Sequence, residues 1–508
     1  MRSSHNPGAF PSLFAVTRLT GPVYVFRTST DPKLPAELLA VFQDPRVDEY
    51  YHDLKTDPER PQKRPFSADA SLNSLVWSQD IETGDPLLCF GGSSSGDIKV
   101  VNVVKKTFVR SLSGHGGPIN DLAVSPLSPS ILASASNDFS IRLWNLDKTF
   151  QKQPCAAILA SPDAHKQPVL ALGFHASGKY LLSGGLDTMV NLWPVPDVPD
   201  RNAGTDKTTC VHFPLFSSTE VHPNYVDCLC FHGDLILSHA ASYGQNEYRT
   251  NAILLWKIDG FSSAAPVPNN PPVAKPGLYT RSAFGGRFQR LLTFDMPNTS
   301  PFYMRFSLFA GPNHHPILAM GNERSKFSFW DLQALEDGLD DESDNDMSSD
   351  SDGVEKTPSG HGKTNGIGHQ QKSKAKSQRQ KLNESRFDVS DPFRPIAPHY
   401  TITVPRYNFA VRQFAWSNCG SWCVAGGQLG IMCIFRRWAE ERGGARTDKS
   451  AATTLFDGSN LSSFAADGAV DIVPEYSFIQ QTAPVAVMGS ASSPTQGRTR
   501  DDVQMGGE

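Results

Sequence analysis

Residues 113–145 read Ser113-Gly-His-Gly-Gly-Pro-Ile-Asn120-Asp-Leu-Ala-Val-Ser-Pro-Leu-Ser-Pro-Ser130-Ile-Leu-Ala-Ser-Ala-Ser-Asn-Asp-Phe-Ser140-Ile-Arg-Leu-Trp-Asn145. Three short apolar runs (119–124, 131–136 and 141–145) are separated by Ser, Pro, Asn and Asp, so the stretch predicts three strands joined by turns. The Gly114-His115 pair at the entry and Trp144 at the end of the third strand mark one blade of a β-propeller. The next stretch repeats the scheme as Ala164-His165, Leu170 to Phe174, Tyr180 to Gly185, Asp187, and Val190-Asn-Leu-Trp193.

Working outward, the third strand recurs seven times: Pro-Val-Tyr-Val-Phe26, Asp-Ile-Lys-Val-Val101, Ser-Ile-Arg-Leu-Trp144, Met-Val-Asn-Leu-Trp193, Ala-Ile-Leu-Leu-Trp256, Lys-Phe-Ser-Phe-Trp330 and Gly-Ile-Met-Cys-Ile-Phe435. One such unit cannot bury its own apolar face, so copies must stack on one another. The fold expected is all-β, a seven-bladed WD-repeat propeller. Blades 1–6 are expected within residues 1–335 and blade 7 within 398–440. Blade 1 reads as incomplete, with strands only at Phe10 to Val16 and Val23 to Phe26. The apolar stretch Val470 to Ile479 is a candidate to fill its missing strand from the carboxyl end.

His115 with Asp138 and His165 with Asp187 have the residue types of acid/base chemistry. Their repetition in successive blades points instead to scaffolding, because an active site is needed once. Together with Trp144 and Trp193 they are expected to satisfy one another through Ser134 and Ser183. No His-Glu-x-x-His helix is present, and the chain reads as no enzyme, with no cofactor and no metal site.

The spacing between the bulky residues widens from 49 (Trp144 to Trp193) to 105 (Trp330 to Phe435), so the excess must lie in loops. The largest insertion, 336–397, reads as a disordered acidic-then-basic segment. Glu336 to Glu355 holds ten acidic residues and no basic one, and Lys356 to Arg386 holds eight basic residues. Such composition cannot bury enough apolar surface to fold. Ser348 to Asp352 could accept phosphate, and the run around Lys372 to Lys381 could serve nuclear import or a weak nucleic-acid contact. Residues 441–508 read as a mostly disordered tail.

A net charge of -5 over 508 residues carries no global basic field. Membrane association and sequence-specific nucleic-acid binding are therefore not expected, and no run of eighteen apolar residues offers a transmembrane helix. The eight cysteines lack a Cys-x-x-Cys pair, which suits reduced thiols.

Several stretches go beyond the repeat. Val211-His-Phe-Pro-Leu-Phe216, Val221-His-Pro-Asn-Tyr-Val-Asp-Cys228, Phe302-Tyr-Met-Arg-Phe-Ser307, Leu318-Ala-Met-Gly-Asn322 and Ala410-Val-Arg-Gln413 have no evident blade-building reason. With Gly114 to Asn120 and Ser140 to Asn145 they resemble the Polycomb-group WD-repeat family of embryonic ectoderm development and extra sex combs (EED/ESC), over roughly residues 12 to 438. That resemblance implies a nuclear, non-catalytic subunit of Polycomb repressive complex 2. It implies an Enhancer-of-zeste-type methyltransferase and a Suppressor-of-zeste-type subunit as partners, and the histone H3 tail as a ligand. It also implies support of H3 lysine methylation and transcriptional repression. A general interaction scaffold, such as a ubiquitin-ligase adaptor, is the alternative.

The family holds a trimethylated lysine in an aromatic cage. A trimethylammonium cannot donate a hydrogen bond, so ring faces hold it, at roughly 0.5–2 kcal/mol each. The adjacent pair of that cage falls on Phe302 and Tyr303, a third position falls on Asn73, four residues before Trp77, and a fourth lies upstream of where this chain begins. Three readings stay open: a truncated chain, substitution by Tyr50 or Tyr51, or weakened methyl-lysine reading. Asn120 and Arg412 match the family's polar contacts to the histone backbone.

Overall fold

The computed structural model describes residues 13–17, 22–29, 34–42, 71–92, 96–200, 202–240, 252–273, 279–311, 314–337, 387–404, 407–436 and 454–456. They form seven sheets, each a blade and antiparallel except where Thr209–Val211 and Pro395–Ile396 add a parallel edge, and the chain is a seven-bladed β-propeller. Seven apolar clusters each lie between two neighbouring sheets, so the blades cover one another's faces in turn. Leu75, Leu88 and Val25 join blades 1 and 2, and Trp144 with Cys89 joins blades 2 and 3. The ring closes where Phe14 and Phe26 of blade 1 meet Trp422 and Ile434 of blade 7. Trp144, Trp193, Trp256 and Trp330 are at most 1% exposed; truncating one to Ala should cost about 3–5 kcal/mol.

Four strand assignments read from the sequence shift. Blade 1 holds a third strand, Ala36–Phe42, paired antiparallel with Val23–Thr28. Its Ala-Glu-Leu-Leu stretch favours helix, and pairing in the sheet overrides that preference. Measured against the other blades, the innermost strand of blade 1 has no counterpart among the described residues. The outer strand of blade 6, Tyr400–Thr403, lies beyond the insertion, so residues 398–403 belong to blade 6 rather than blade 7. Pro395–Ile396, placed in the insertion by the sequence reading, runs parallel to Phe288–Asp295 of blade 5. Blade 7 is completed by Thr454–Phe456, from the stretch assigned to the tail. The charged blocks of 338–386, Tyr50, Tyr51 and Val470 to Ile479 lie outside the described residues.

All eight cysteines are unbonded. The inner strands of blades 2 to 7 surround a central cavity of about 650 Å³, lined by Asp121, Leu172, Cys228, Arg305, Phe309 and Trp416 among others.

Candidate functional site

Five inner strands share one irregularity at the same end of this channel. Pairing with the second strand slips by one residue at Asn73 in blade 2, Asn120 in blade 3, Leu170 in blade 4, Asp227 in blade 5 and Arg412 in blade 7. A β-bulge leaves its extra residue outside the ladder and re-aims its side chain. These five residues, with the Phe302-Tyr303 turn of blade 6, mark one mouth of the disc.

The first two bulged residues fasten neighbouring blades. Asn73 Nδ2 donates to the carbonyl of Ile119 at 2.9 Å, and Asn120 Nδ2 donates to the carbonyl of Val169 at 2.8 Å. Asn120 also donates to Asn137 Oδ1 at 2.8 Å and accepts the Tyr303 hydroxyl at 3.3 Å. Both its amide hydrogens are thus committed inside the protein. Its part is to hold Tyr303. Arg412 is similarly occupied, with Nη1 donating to the carbonyl of Phe302 and its own carbonyl accepting Arg305 N–H at 2.9 Å. The two residues nominated from sequence as polar contacts to a peptide therefore brace the aromatic pair.

Phe302 and Tyr303 meet edge to face with centroids 4.1 Å apart, and Tyr225 meets Phe302 the same way at 5.3 Å. Phe302 is 37% exposed, whereas Tyr225 is buried, packed on Leu170. Tyr225 comes from the His-Pro-Asn-Tyr-Val-Asp-Cys segment, whose presence sequence reasoning noted without assigning it a role. Tyr303 has φ of +59°, a left-handed conformation unusual for a bulky residue and worth about 1–3 kcal/mol of strain. Its hydroxyl bond to Asn120 and the Arg305 guanidinium 5.3 Å from its ring centroid hold it there. Burial pushes the Tyr303 phenol above its ordinary range against the opposing charge of Arg305, with Asp121 and Asp227 adding to the rise.

Arg305 reaches from blade 6 across the axis to blade 3. Nη1 donates to Asp121 Oδ1 at 2.7 Å and Nη2 to the carbonyl of Leu170 at 3.0 Å, with both charged side chains under a tenth exposed. Asp121 also accepts Ser74 Oγ at 3.1 Å and Leu172 N–H at 2.9 Å. Burial opposes the charged guanidinium, but the Asp121 carboxylate wins and Arg305 is held above its usual range. This bar ties blades 2, 3, 4 and 6 beneath the aromatic mouth. On the same ring Asp227 accepts from His239 Nδ1 at 3.1 Å, both side chains 0% exposed, while its Oδ2 has no hydrogen-bond partner among the described residues.

The repeated polar residues sit elsewhere and form closed chains. Trp144 Nε1 donates to Ser134 Oγ at 2.8 Å, Ser134 meets His115 Nε2 at 2.7 Å, and His115 Nδ1 meets Asp138 Oδ2 at 2.8 Å. A carboxylate only accepts, so Nδ1 carries the proton and Nε2 receives the serine hydroxyl. In blade 4 the same chain runs Trp193, Ser183, His165, Asp187 at 3.0, 2.8 and 3.1 Å. Blade 5 keeps Trp256, Ser238 and His222 at 2.8 and 2.7 Å. Burial lowers the pKa of His115 against the pull of Asp138. Burial would raise Asp138, but the bonds and charge of His115 hold it below the usual carboxylate range. Ser134, Ser183 and Ser238 are each 0% exposed, so no substrate reaches these hydroxyls.

Two short spellings of catalytic loops occur in the wrong context. The spelling Gly92-Ser-Ser-Ser-Gly96 is flanked by two strands of blade 2, Pro86–Gly92 and Ile98–Asn102, rather than by a strand and a helix. Gly173 to Lys179 crosses a turn between strands of blade 4, with Tyr180 where a phosphate loop needs Ser or Thr.

The bulges have a signal in the sequence once the repeats are aligned on the aliphatic residue before each: Leu72-Asn73-Ser74, Ile119-Asn120-Asp121, Val169-Leu170-Ala171, Val226-Asp227-Cys228, Val411-Arg412-Gln413. The family model "WD domain, G-beta repeat" matches residues 106–145 and 156–194. "Polycomb protein EED" of Chaetomium thermophilum is 42% identical over 269 residues, 50% of this chain and 46% of the relative. "Polycomb group protein FIE2" of Zea mays is 31% identical over 276 residues, 52% of this chain and 64% of the relative. The chain thus spans about half to two thirds of the curated relatives it matches. Among solved structures, a chain of "Humanized mutant of the Chaetomium thermophilum Polycomb Repressive Complex 2 bound to the inhibitor GSK126" superposes with TM-score 0.68 at 31% identity, covering 87% of this chain and 93% of that one. A chain of "Structure of ctPRC2 in complex with H3K27me3 and H3K27M" superposes with TM-score 0.67 at 30% identity, covering 86% and 93%.

Proposed function

This chain belongs to the EED/ESC family of Polycomb WD-repeat proteins, and from that premise we propose that it is a non-catalytic scaffold of a Polycomb repressive complex in the nucleus. It would hold an Enhancer-of-zeste-type methyltransferase and a Suppressor-of-zeste-type subunit while the aromatic mouth receives a methylated lysine of the histone H3 tail. The observation that carries the reading is the Tyr225, Phe302, Tyr303 cluster. It occurs once among the described residues, and Asn120 of blade 3, Arg305 of blade 6 and Arg412 of blade 7 brace it. Ring faces converging on one mouth attract a cation that offers few hydrogen bonds.

The test has two arms. Stoichiometric recovery of a methyltransferase and a Suppressor-of-zeste-type subunit with the tagged chain supports the scaffold, and recovery of ubiquitin-ligase subunits in their place removes it. In the second arm the paired substitution Phe302→Ala and Tyr303→Ala should abolish preference for methylated over unmethylated H3 lysine 27 peptide. Equal affinity for both peptides in the unmutated protein overturns the assignment of the mouth.

A further inference from the structure

Among the described residues the mouth is not aromatic all the way round. Tyr225, Phe302 and Tyr303 supply ring faces on the side of blades 5 and 6, whereas blades 2 and 3 present the carboxamides of Asn73 and Asn120 at the equivalent bulges. Asn120 is buried, 4% exposed, with its Oδ1 turned to the Tyr303 hydroxyl. Asn73 is half-buried, and its Oδ1 accepts one bond, from Ser71 Oγ at 3.1 Å. A carbonyl oxygen has two lone pairs, so Asn73 can accept a second donor.

Ring faces are indifferent to how many methyl groups a cation carries, provided it is large and weakly hydrated. A carboxamide oxygen is not indifferent. Against a trimethylammonium it loses water and gains no donor, which is unfavourable for a partly buried polar atom. Against a dimethylammonium it receives the one remaining N–H in a charge-assisted hydrogen bond.

Resting on the reading of the mouth as a methyl-lysine site, we infer that it discriminates by methylation state, preferring dimethyl-lysine to trimethyl-lysine, with Asn73 as the specificity-determining residue. The experiment is calorimetric titration of the chain with H3 lysine 27 peptides carrying zero, one, two or three methyl groups. Dimethyl peptide should bind about five- to tenfold tighter than trimethyl. Asn73→Leu, which keeps the volume and removes the acceptor, should erase that difference, and Asn73→Tyr, which adds a fourth ring, should reverse it. Melting temperatures of both variants establish that they fold. Tightest binding of the trimethyl peptide by the unmutated chain, or an unchanged preference in both variants, overturns the inference while leaving the methyl-lysine site standing, provided Phe302→Ala still weakens every methylated peptide. Binding that ignores both methylation and Phe302 overturns the site and the inference together.

Discussion

Two polar clusters lie buried in this disc, and they are built differently. The Trp144, Ser134, His115, Asp138 chain is complete within blade 3 and recurs in blade 4. The Asp121, Arg305, Tyr303, Asn120 cluster occurs once and takes its members from opposite sides of the ring. The first kind stabilises a single sheet and leaves no group over. The second couples blades that share no strand pairing, and it fixes a strained aromatic side chain at an open mouth. Repetition within blades therefore marks scaffold here, and a unique cluster bridging blades marks the site.

The contrast is broken most severely at Arg305. Replacing it with Ala leaves the Asp121 charge buried without its partner, and should cost about 3–5 kcal/mol in urea unfolding. The double variant Arg305→Leu with Asp121→Leu should recover much of that loss, because no unpaired charge remains. A double variant no more stable than the single one would show that the bar acts through packing alone.

Acid probes the blade-bound chains. Burial, aided by the charges of His239 and Arg290, holds His222 down to about 3, against 6.5 for an ordinary histidine. The unfolded chain therefore binds more protons between those values. Stability is full above the unfolded pKa and falls as pH drops toward the folded one, by up to roughly 3 kcal/mol between pH 7 and pH 4. Denaturant melts across that window should show the slope, and His222→Gln should flatten it.

Ser134→Ala removes the acceptor of Trp144 and the donor to His115, for a loss of about 1–3 kcal/mol. Peptide affinity should not change, and a change would mean the two clusters communicate. The smallest effect is expected from Tyr303→Phe, which deletes one hydroxyl bond to Asn120 and keeps the ring. Stability should fall by about 1 kcal/mol, with methyl-lysine peptide affinity weakened severalfold by the freed ring.

Much of the architecture was legible because the repeat states it seven times, and burial of Trp144, Trp193, Trp256 and Trp330 follows from their common place in the unit. The strand Ala36–Phe42 was hidden by helix-favouring residues, and the outer strands Tyr400–Thr403 and Thr454–Phe456 by the long stretches of chain that separate them from their sheets. Phe302, Tyr303, Asn120 and Arg412 could be picked out by motif. That Asn120 accepts the Tyr303 hydroxyl and Arg412 donates to the Phe302 carbonyl could not, since it depends on which side chains a bulge turns toward the axis. Tyr225 entered the site for the same reason, 77 positions before Phe302 in the chain.

Local order of apolar and polar residues was enough to determine that this protein is a ring of β-sheets, because each blade's pattern is read from neighbours in sequence. Only the folded ring decided which residues from blades 2 to 7 share one mouth and how Arg305 meets Asp121. Closure joins Asp121 to Arg305, 184 positions away, and puts Phe14 in one cluster with Trp422, 408 positions away, and no spacing along a chain encodes a contact made by closing a circle.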